Sequence, residues 1–365
     1  MPSTILCELN DSVYLATTEG PLVRLESHSD RAYLSDSSIL VQVAPAPKDI
    51  YDVDTFMQSL LVVSGEIYGV TSDGVFYKWN GIDYYRVDGS INELSGWVFL
   101  APSVDGRFPQ ALLYHDNKIF CLLENGKLLQ WNSVDSWLIV ALPYWNYLYN
   151  LSSDLISYNG VLYHSEYDKF VKWNGVDSWV LVCDSPFSGG NCYFQLFEYD
   201  HQLYCLTYSP SRIYSWDGNV TWELEYEFID EIPLCFTVWQ PISFYGYPPV
   251  VYFGSQSGKL LVWDPINGLI QLCLQREGTT QYISCLLCTS KFIYGRGISP
   301  SELLIYPLKS FCGLTIQERK TPDIVDTAHL TMIVNAFSVA PSLYPGFLNS
   351  SMLLNNVLNV TDVYL

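Results

Sequence analysis

A pair of aromatic-rich strand segments recurs along this chain, and this repeat constrains the fold more than any other feature. In five copies the second segment ends in Trp followed by Asn or Asp, and the closing tryptophans are Trp79, Trp131, Trp173, Trp216 and Trp263. Two weaker copies have Leu25 and Tyr306 at the closing position. Successive closing residues are 42 to 54 residues apart, a period that four short strands fill. The repeat therefore predicts four-stranded antiparallel units.

A single four-stranded sheet cannot bury both of its faces, whereas a ring of such sheets buries them and leaves only short edges. The sequence therefore predicts an all-β fold, a seven-bladed β-propeller with four antiparallel strands per blade over residues 1–320. A β-sandwich is the alternative, but it does not require the same aromatic register in every unit. Residues 321–365 lose this register and are predicted to form a C-terminal extension, which either closes the ring or docks on a partner by strand addition.

The composition supports a large β-rich core. Apolar residues make up 49% of the chain and charged residues 15%, which favours a folded globular protein. Aromatic residues reach 15% and suit pleated surfaces. Among the ten cysteines, Cys121 and Cys205 share one repeat position, which favours buried thiols over disulfides. Cys285 and Cys288 have zinc-like spacing but no second pair nearby, so a strand is the preferred interpretation.

The charge balance limits the partners. The chain has 18 Lys and Arg against 38 Asp and Glu, a net charge of −20. Nucleic acids and anionic membranes require concentrated positive charge, so neither is expected as a partner. No window of about 18 apolar residues predicts membrane insertion, and the first residues lack the pattern of a secretory signal. The expected location is a virion or the cytoplasm.

Three aspartates recur four residues after closing tryptophans, namely Asp83, Asp135 and Asp177. Carboxylates repeated in this way could form a ring of Ca²⁺ ligands, since calcium takes several oxygen ligands. Alternatively, they shape the hairpin turns, because Asn and Asp side chains bond to their own backbone. The turn-forming role is preferred because one Asp per blade gives no local cluster. No metal and no other cofactor is predicted.

Two groups of aromatic residues are separated by their register. The five closing tryptophans and Tyr306 are predicted to be the structural core of the repeat, packed between adjacent blades. Binding of sugars by stacking is the alternative for this set. Trp97, Trp145 and Trp239 lie outside the register, and they are candidate exposed contacts.

The motifs of common enzyme classes are missing. The five histidines are scattered, and the chain has neither an HExxH motif nor a Gly-x-Ser-x-Gly elbow. Segments near Asp73 and Asp135 approach a sialidase-type Asp box without its spacing. The sequence therefore predicts a protein without catalytic residues.

One tract, YNGVLYHSEYDKFVKWNGVDSWVLV from Tyr158 to Val182, resembles the hairpins of kelch-like propellers. It is also similar to propeller repeats in structural proteins of bacteriophages and large viruses. This resemblance implies a non-enzymatic scaffold for protein–protein interaction, with other subunits of a larger assembly as partners and a virion component as the specific hypothesis. A lectin-like propeller that binds glycans is the alternative, and a glycoside-acting enzyme is the third hypothesis.

Overall fold

The computed structural model consists of β-strands joined by turns and loops. It describes residues 6–10, 12–16, 21–25, 40–48, 51, 53–84, 90–144, 154–166, 168–186, 194–208, 210–239, 249–264, 268–273, 283, 285–288, 292–296 and 303–307. These ranges contain 27 strands and no helix, so no described segment is a helix long and apolar enough to cross a membrane.

The strands group into seven sheets in sequence order. The first three sheets contain β1 Leu6–Leu9, β2 Ser12–Ala16, β3 Leu22–Leu25 and β4 Leu40–Ala44; β5 Met57–Val63, β6 Glu66–Thr71, β7 Phe76–Trp79 and β8 Trp97–Ala101; and β9 Pro109–His115, β10 Lys118–Leu123, β11 Leu128–Trp131 and β12 Trp137–Ala141. The next three contain β13 Leu155–Tyr158, β14 Val161–Glu166, β15 Lys169–Trp173 and β16 Trp179–Asp184; β17 Phe194–Tyr199, β18 Gln202–Tyr208, β19 Ser211–Trp216 and β20 Trp222–Glu227; and β21 Pro233–Trp239, β22 Val250–Ser255, β23 Leu260–Asp264 and β24 Gly268–Cys273. The last contains β25 Cys285–Cys288, β26 Phe292–Arg296 and β27 Leu303–Pro307.

The sheets form a closed ring. The first strand of each sheet contacts the first strand of the next, and β25 contacts both β21 and β1. Within each sheet the strands are antiparallel and follow one another in chain order. The first strands therefore lie nearest the centre, and the fourth strands form the outer edges.

The number of blades differs from the sequence prediction. The described residues form six blades of four antiparallel strands, blades 1 to 6, and a three-stranded sheet between blades 6 and 1. The predicted seven-bladed propeller with four strands in every blade is therefore wrong. The aromatic repeat reports only the second and third strands of a unit, which the last copy supplies as β26 and β27; it carries no information on a fourth strand. Residues 321–365, and with them the C-terminal extension, lie outside the described residues.

Two-residue turns join the first and second strands of blades 2 to 5. Both turn residues have positive φ, for example Asn159 at 49° and Gly160 at 73°. This geometry belongs to type I′ turns, whose twist matches that of the flanking strands. The turns fix the register in which the aromatic residues of the second strand face the next blade.

The core between blades is built from the closing tryptophans. Each one lies against the aromatic residue in the second strand of the preceding blade. The ring centroids of Trp216 and Tyr163 are 5.6 Å apart, and those of Trp263 and Tyr204 are 5.2 Å apart. Edge-to-face pairs at such distances add to the apolar burial. The aromatic register therefore stabilises the ring by joining neighbouring blades.

Every fourth strand contains a β-bulge at the same position. The register shifts, for instance, between the pairs Leu128–Ala141 and Leu129–Ile139, and between Phe170–Cys183 and Val171–Leu181. Equivalent shifts occur in the other four blades. A bulge disrupts the outward row of hydrogen-bonding groups and so protects an edge strand from pairing with another chain.

Candidate interaction surface

A row of exposed apolar side chains follows the outer edges of consecutive blades. In blades 2, 3 and 4 the fourth strand begins with Trp, and the next two residues are apolar and 40 to 54% exposed. In blade 5 only the second of these positions is apolar. We call this set the outer rim; it consists of Val98, Phe99, Leu138, Ile139, Val180, Leu181 and Leu224. Repetition of exposed apolar residues at one register indicates a contact surface rather than scattered surface hydrophobes.

A groove opens next to the outer rim between the fourth strands of blades 4 and 5. It has a volume of about 510 Å³ and is lined by residues 181–186 and 220–222. Leu181 and Pro186 lie on the blade 4 side, and Val220 and Trp222 lie on the blade 5 side. At its base, burial raises the pKa of the Cys183 thiol to about 11, so this thiol stays protonated and unreactive at neutral pH.

The corresponding seam between blades 3 and 4 contains a backbone bridge. There, Leu142 forms a parallel bridge with Ser178. The equivalent residues at the next seam are Asp184 and Thr221, counted from the first residue of each fourth strand, and they line the groove instead. No bridge joins them in the described structure. The two seams therefore differ in their backbone pairing.

The turns that precede the fourth strands of blades 3 and 4 are organised by asparagine. The Asn174 side-chain carbonyl accepts hydrogen bonds from the backbone N–H groups of residues 176, 177 and 178 at 2.8 to 3.2 Å. Asp177 accepts one from the Asn174 amide at 3.1 Å and one from the Ser178 hydroxyl at 3.1 Å. Asn132 and Asp135 repeat this pattern. The aspartates therefore support a turn that asparagine nucleates.

We expect Asn174→Ala to lower the free energy of unfolding by about 1–2 kcal/mol, because three exposed backbone N–H groups lose a shared acceptor. Asp177→Ala should cost less, since its bonds are to exposed side chains. Urea denaturation of the two variants measures the difference. A larger loss for Asp177→Ala would assign the organising role to the aspartate.

Asp83 has a different environment from the other two aspartates. Both of its oxygens accept hydrogen bonds from the Arg24 guanidinium of blade 1, each at 3.0 Å. The pair is partly exposed, so its contribution to stability is modest. It joins blades 1 and 2. Among the described residues, no cluster of three or more His, Cys, Asp or Glu side chains has a geometry suited to a metal ion.

The candidate contact residues from the sequence have different environments. Trp97 is half-buried, and its indole N–H donates to the Pro45 carbonyl at 3.0 Å. Trp239 ends β21 and pairs with Val250, while Trp145 lies outside the described residues. The closing tryptophans Trp79, Trp216 and Trp263 are buried, and Trp131 and Trp173 are half-buried. Tyr306 lies in β27, paired with Ile293.

A buried polar cluster lies on the inner side of blade 4. His164 and Glu166 are 1% and 0% exposed in their side chains. The Glu166 carboxylate accepts the Tyr144 N–H at 2.9 Å, and the His164 Nδ1–H donates to the Asp154 carbonyl at 3.3 Å. The Asp154 carboxylate accepts the Leu196 N–H of blade 5 at 2.8 Å. The cluster therefore connects the end of blade 3, blade 4 and the first strand of blade 5.

Burial governs the ionisation of this cluster. It lowers the pKa of His164 to about 4, so the imidazole is neutral at neutral pH. The 4.0 Å separation of its Nε2 from Glu166 is therefore not an ion pair under these conditions. Burial also raises the pKa of Asp154 to about 7, although the Leu196 N–H opposes the shift. Part of residue 154 remains accessible to solvent, but its carboxyl group is enclosed.

Sequence reasoning missed this cluster because it treated the histidines as scattered. The signal becomes visible when the second strands are aligned through the third strands with which they pair. His164 pairs with the residue two positions before the closing Trp173. The position of His164 is then occupied by apolar or small residues in the other four-stranded blades, namely Leu15, Gly69, Cys121, Cys205 and Phe253. Glu166 likewise aligns with the neutral residues Thr71, Leu123, Thr207 and Ser255. Blade 4 alone carries a histidine and a carboxylate there.

Several solved structures share this architecture at low sequence identity. The WD40 β-propeller domain of Doa1 matches with a TM-score of 0.56 and 12% identity, over 86% of this chain and 92% of that one. YCF48 bound to D1 peptide matches with a TM-score of 0.55 and 12% identity, over 88% and 96%. Virginiamycin B lyase from Staphylococcus aureus matches with a TM-score of 0.57 and 10% identity, over 82% and 92%.

These likenesses establish the fold and nothing finer. No protein-family model and no curated protein sequence matches the chain. The structural neighbours include a peptide complex, a WD40 domain and a lyase, in line with the rule that one fold hosts many functions. The chain is a β-propeller, a fold suited to scaffolds for protein–protein interaction.

Proposed function

We propose that this chain is a non-enzymatic scaffold that binds another protein, a subunit of a larger assembly, through the outer rim. The observation that carries the proposal is the pair of exposed apolar residues at the same register of blades 2, 3 and 4. Edge strands of soluble proteins usually carry charged residues. The presence of exposed apolar pairs at three successive edges is explained if another protein covers them.

The bulges indicate how that protein is held. Because each fourth strand is interrupted at the same position, an incoming strand could not extend the sheet over its full length. The partner therefore contacts the rim through side chains. Phe99, 54% exposed, is the largest residue of the rim and fits the role of an aromatic anchor.

Charge favours a different protein over a second copy as the occupant. Two chains of net charge −20 repel each other, and this repulsion opposes self-association. The rim is bordered by exposed carboxylates, among them Asp135, Asp177 and Glu223. We therefore infer a partner whose docking face is apolar and surrounded by Lys and Arg.

The finer form of the proposal is a structural component of a virus or phage particle, and its support is the resemblance of the repeat to propellers of such particles. A cytoplasmic assembly is the other location considered. Glycan binding through loop aromatics stays the alternative prediction. The proposal that the chain is not an enzyme is supported by the absence of the catalytic motifs named above from its sequence.

We expect the double variant Phe99→Asp/Leu138→Asp to lose at least tenfold in affinity for the partner, because it places two carboxylates in an apolar contact. Partners captured from source extracts on the immobilised wild type would be produced recombinantly and titrated against both forms. Gln256→Asp, an exposed change on blade 6, is the matched control. Hydrogen exchange of the complex should show protection of β8 and β12. Equal affinities of the two forms would place the docking face elsewhere.

A further inference from the structure

We propose that the groove between blades 4 and 5 binds an extended peptide segment of the partner, which inserts one apolar side chain between Leu181 and Trp222 and places a Lys or Arg beside Asp184. This inference rests on the proposed function, since it specifies what part of a partner is recognised. It concerns a site separate from the rim residues of blades 2 and 3.

The groove has the size and lining of a binding site. Its volume of about 510 Å³ falls within the range of pockets that hold small ligands or single peptide side chains. Leu181 is 40% exposed and Val220 is 55% exposed, so both walls present apolar surface to water. Trp222, which is half-buried, closes the far side, and its ring packs edge-to-face on Phe170 with centroids 5.1 Å apart. The walls are thus held in place by the core.

Val220 adds apolar surface on the blade 5 side of the groove. The turns before the fourth strands of blades 3, 4 and 5 have equal length, and Val220 occupies the position of Asp135 and Asp177. In blades 3 and 4 that aspartate accepts hydrogen bonds within its own turn. In blade 5, Asp217 instead accepts the N–H groups of Asn219 and Thr221 at 2.8 and 3.0 Å. The turn is therefore satisfied without a second aspartate, and the freed position faces the groove.

The end of the groove on blade 4 is negatively charged. The Lys169 ammonium lies 2.7 Å from the Asp184 carboxylate and 3.3 Å from that of Asp168. One cation is thus shared by two anions, which leaves a local excess of negative charge. The Asp184 side chain is 75% exposed and accessible to a second cation. Since the chain as a whole carries −20, a basic segment would be attracted towards this end.

The neighbouring seam provides an internal control. Between blades 3 and 4, the Leu142–Ser178 bridge joins the two blades at the equivalent place, and Asp177 stands at the position of Val220. Ile139 is the counterpart of Leu181 and is 48% exposed. A peptide that recognises the groove should therefore ignore the seam at Ile139.

The test uses the full chain and a random decapeptide display library as the probe. Peptides selected on the wild type should share an aliphatic or aromatic residue within about two positions of Lys or Arg. Leu181→Asp and Val220→Asp should each weaken a selected peptide at least tenfold, whereas Ile139→Asp should change its affinity less than twofold. Val220→Asp restores the residue that blades 3 and 4 carry, so it is expected to fold normally, which circular dichroism and thermal melting would verify.

A second arm tests the charge. Asp184→Asn should weaken the selected peptides three- to fivefold, and the same substitution should have no effect on a peptide whose Lys or Arg is replaced by Gln. Failure to select any peptide, selection of acidic peptides, or equal sensitivity to Ile139→Asp and Leu181→Asp would overturn the proposal. Loss of the partner in the Phe99→Asp/Leu138→Asp variant is measured independently, so failure of the groove leaves the docking role of the rim intact, and the reverse also holds.

Discussion

Trp216→Ala should lower the free energy of unfolding by about 3–5 kcal/mol, the cost typical of removing a large aromatic side chain from a core. Trp216 is 5% exposed and lies between blades 4 and 5. Its ring centroid is 5.3 Å from that of Phe170 and 5.6 Å from that of Tyr163. Truncation would leave a cavity between two rigid sheets that cannot collapse into it. Equilibrium denaturation in urea measures the loss.

Two further variants separate packing from hydrogen bonding. The indole N–H of Trp216 is buried without a hydrogen-bond acceptor among the described residues. Trp216→Phe therefore removes no hydrogen bond and should cost less than half as much as Trp216→Ala. Trp173→Ala should also cost less, because Trp173 is half-buried. A loss below about 1 kcal/mol for Trp216→Ala would show that the closing tryptophans do not hold neighbouring blades together.

The sequence predicted the all-β propeller class because the class depends on a repeated local pattern. An aromatic residue in the second strand recurs along the chain, with Trp at the end of the third strand in five units, and these residues form contacts between blades. The propeller fold is confirmed by the sheet topology and by the structural neighbours. The kelch-like and viral assignments find no such support, because a shared hairpin pattern reports a fold rather than a family.

The number of four-stranded blades could not be read from the same pattern. Fourth strands differ in composition, from the apolar residues 137–141 in blade 3 to the acidic residues 222–227 in blade 5. They lie at the edge, where packing constrains only one side. Counting second and third strands therefore gave seven complete units, whereas six sheets have a fourth strand in the described structure.

The candidate interaction surface was also beyond sequence reasoning, for two physical reasons. First, apolar residues in a strand are normally assigned to the core, whereas β8, β12 and β16 lie at the outer edge and each of them exposes two apolar residues. Second, the two seams beside blade 4 differ in a backbone bridge, which forms between blades 3 and 4 but not between blades 4 and 5, where the groove lies. A contact between residues about 40 positions apart has no local signature in the chain.

The buried cluster of His164, Glu166 and Asp154 affects the stability of the folded protein. Its three polar residues lie where the chain passes from blade 3 through blade 4 to blade 5, next to the blades that carry the rim and the groove. A buried ionisable group without a charged partner is costly. The neutral form of Asp154 is therefore favoured in the folded protein, and the effect on stability depends on pH.

Asp154→Asn should stabilise the protein at pH 8.5 by as much as about 4 kcal/mol and leave its stability nearly unchanged at pH 4. The pKa of Asp154 is about 7 in the folded state against an ordinary value of 3.8, and three pKa units correspond to about 4 kcal/mol. Between pH 3.8 and about pH 7 the folded protein binds more protons than the unfolded chain. The free energy of unfolding therefore falls as the pH rises through this window. Asparagine removes that loss and retains an oxygen to accept the Leu196 N–H.

The sign of the effect is specific to Asp154. Burial lowers the pKa of His164 from 6.5 to about 4, so its contribution runs in the opposite direction, and stability rises with pH across that interval. Comparing Asp154→Asn with the wild type at the same pH cancels the histidine term, because both proteins retain it. Asp184→Asn, at an exposed carboxylate, is the matched control and should change stability by less than about 1 kcal/mol. Equal stability of wild type and Asp154→Asn at pH 8.5, measured by urea denaturation, would mean that the Asp154 carboxylate is hydrated in the folded protein and does not make stability depend on pH.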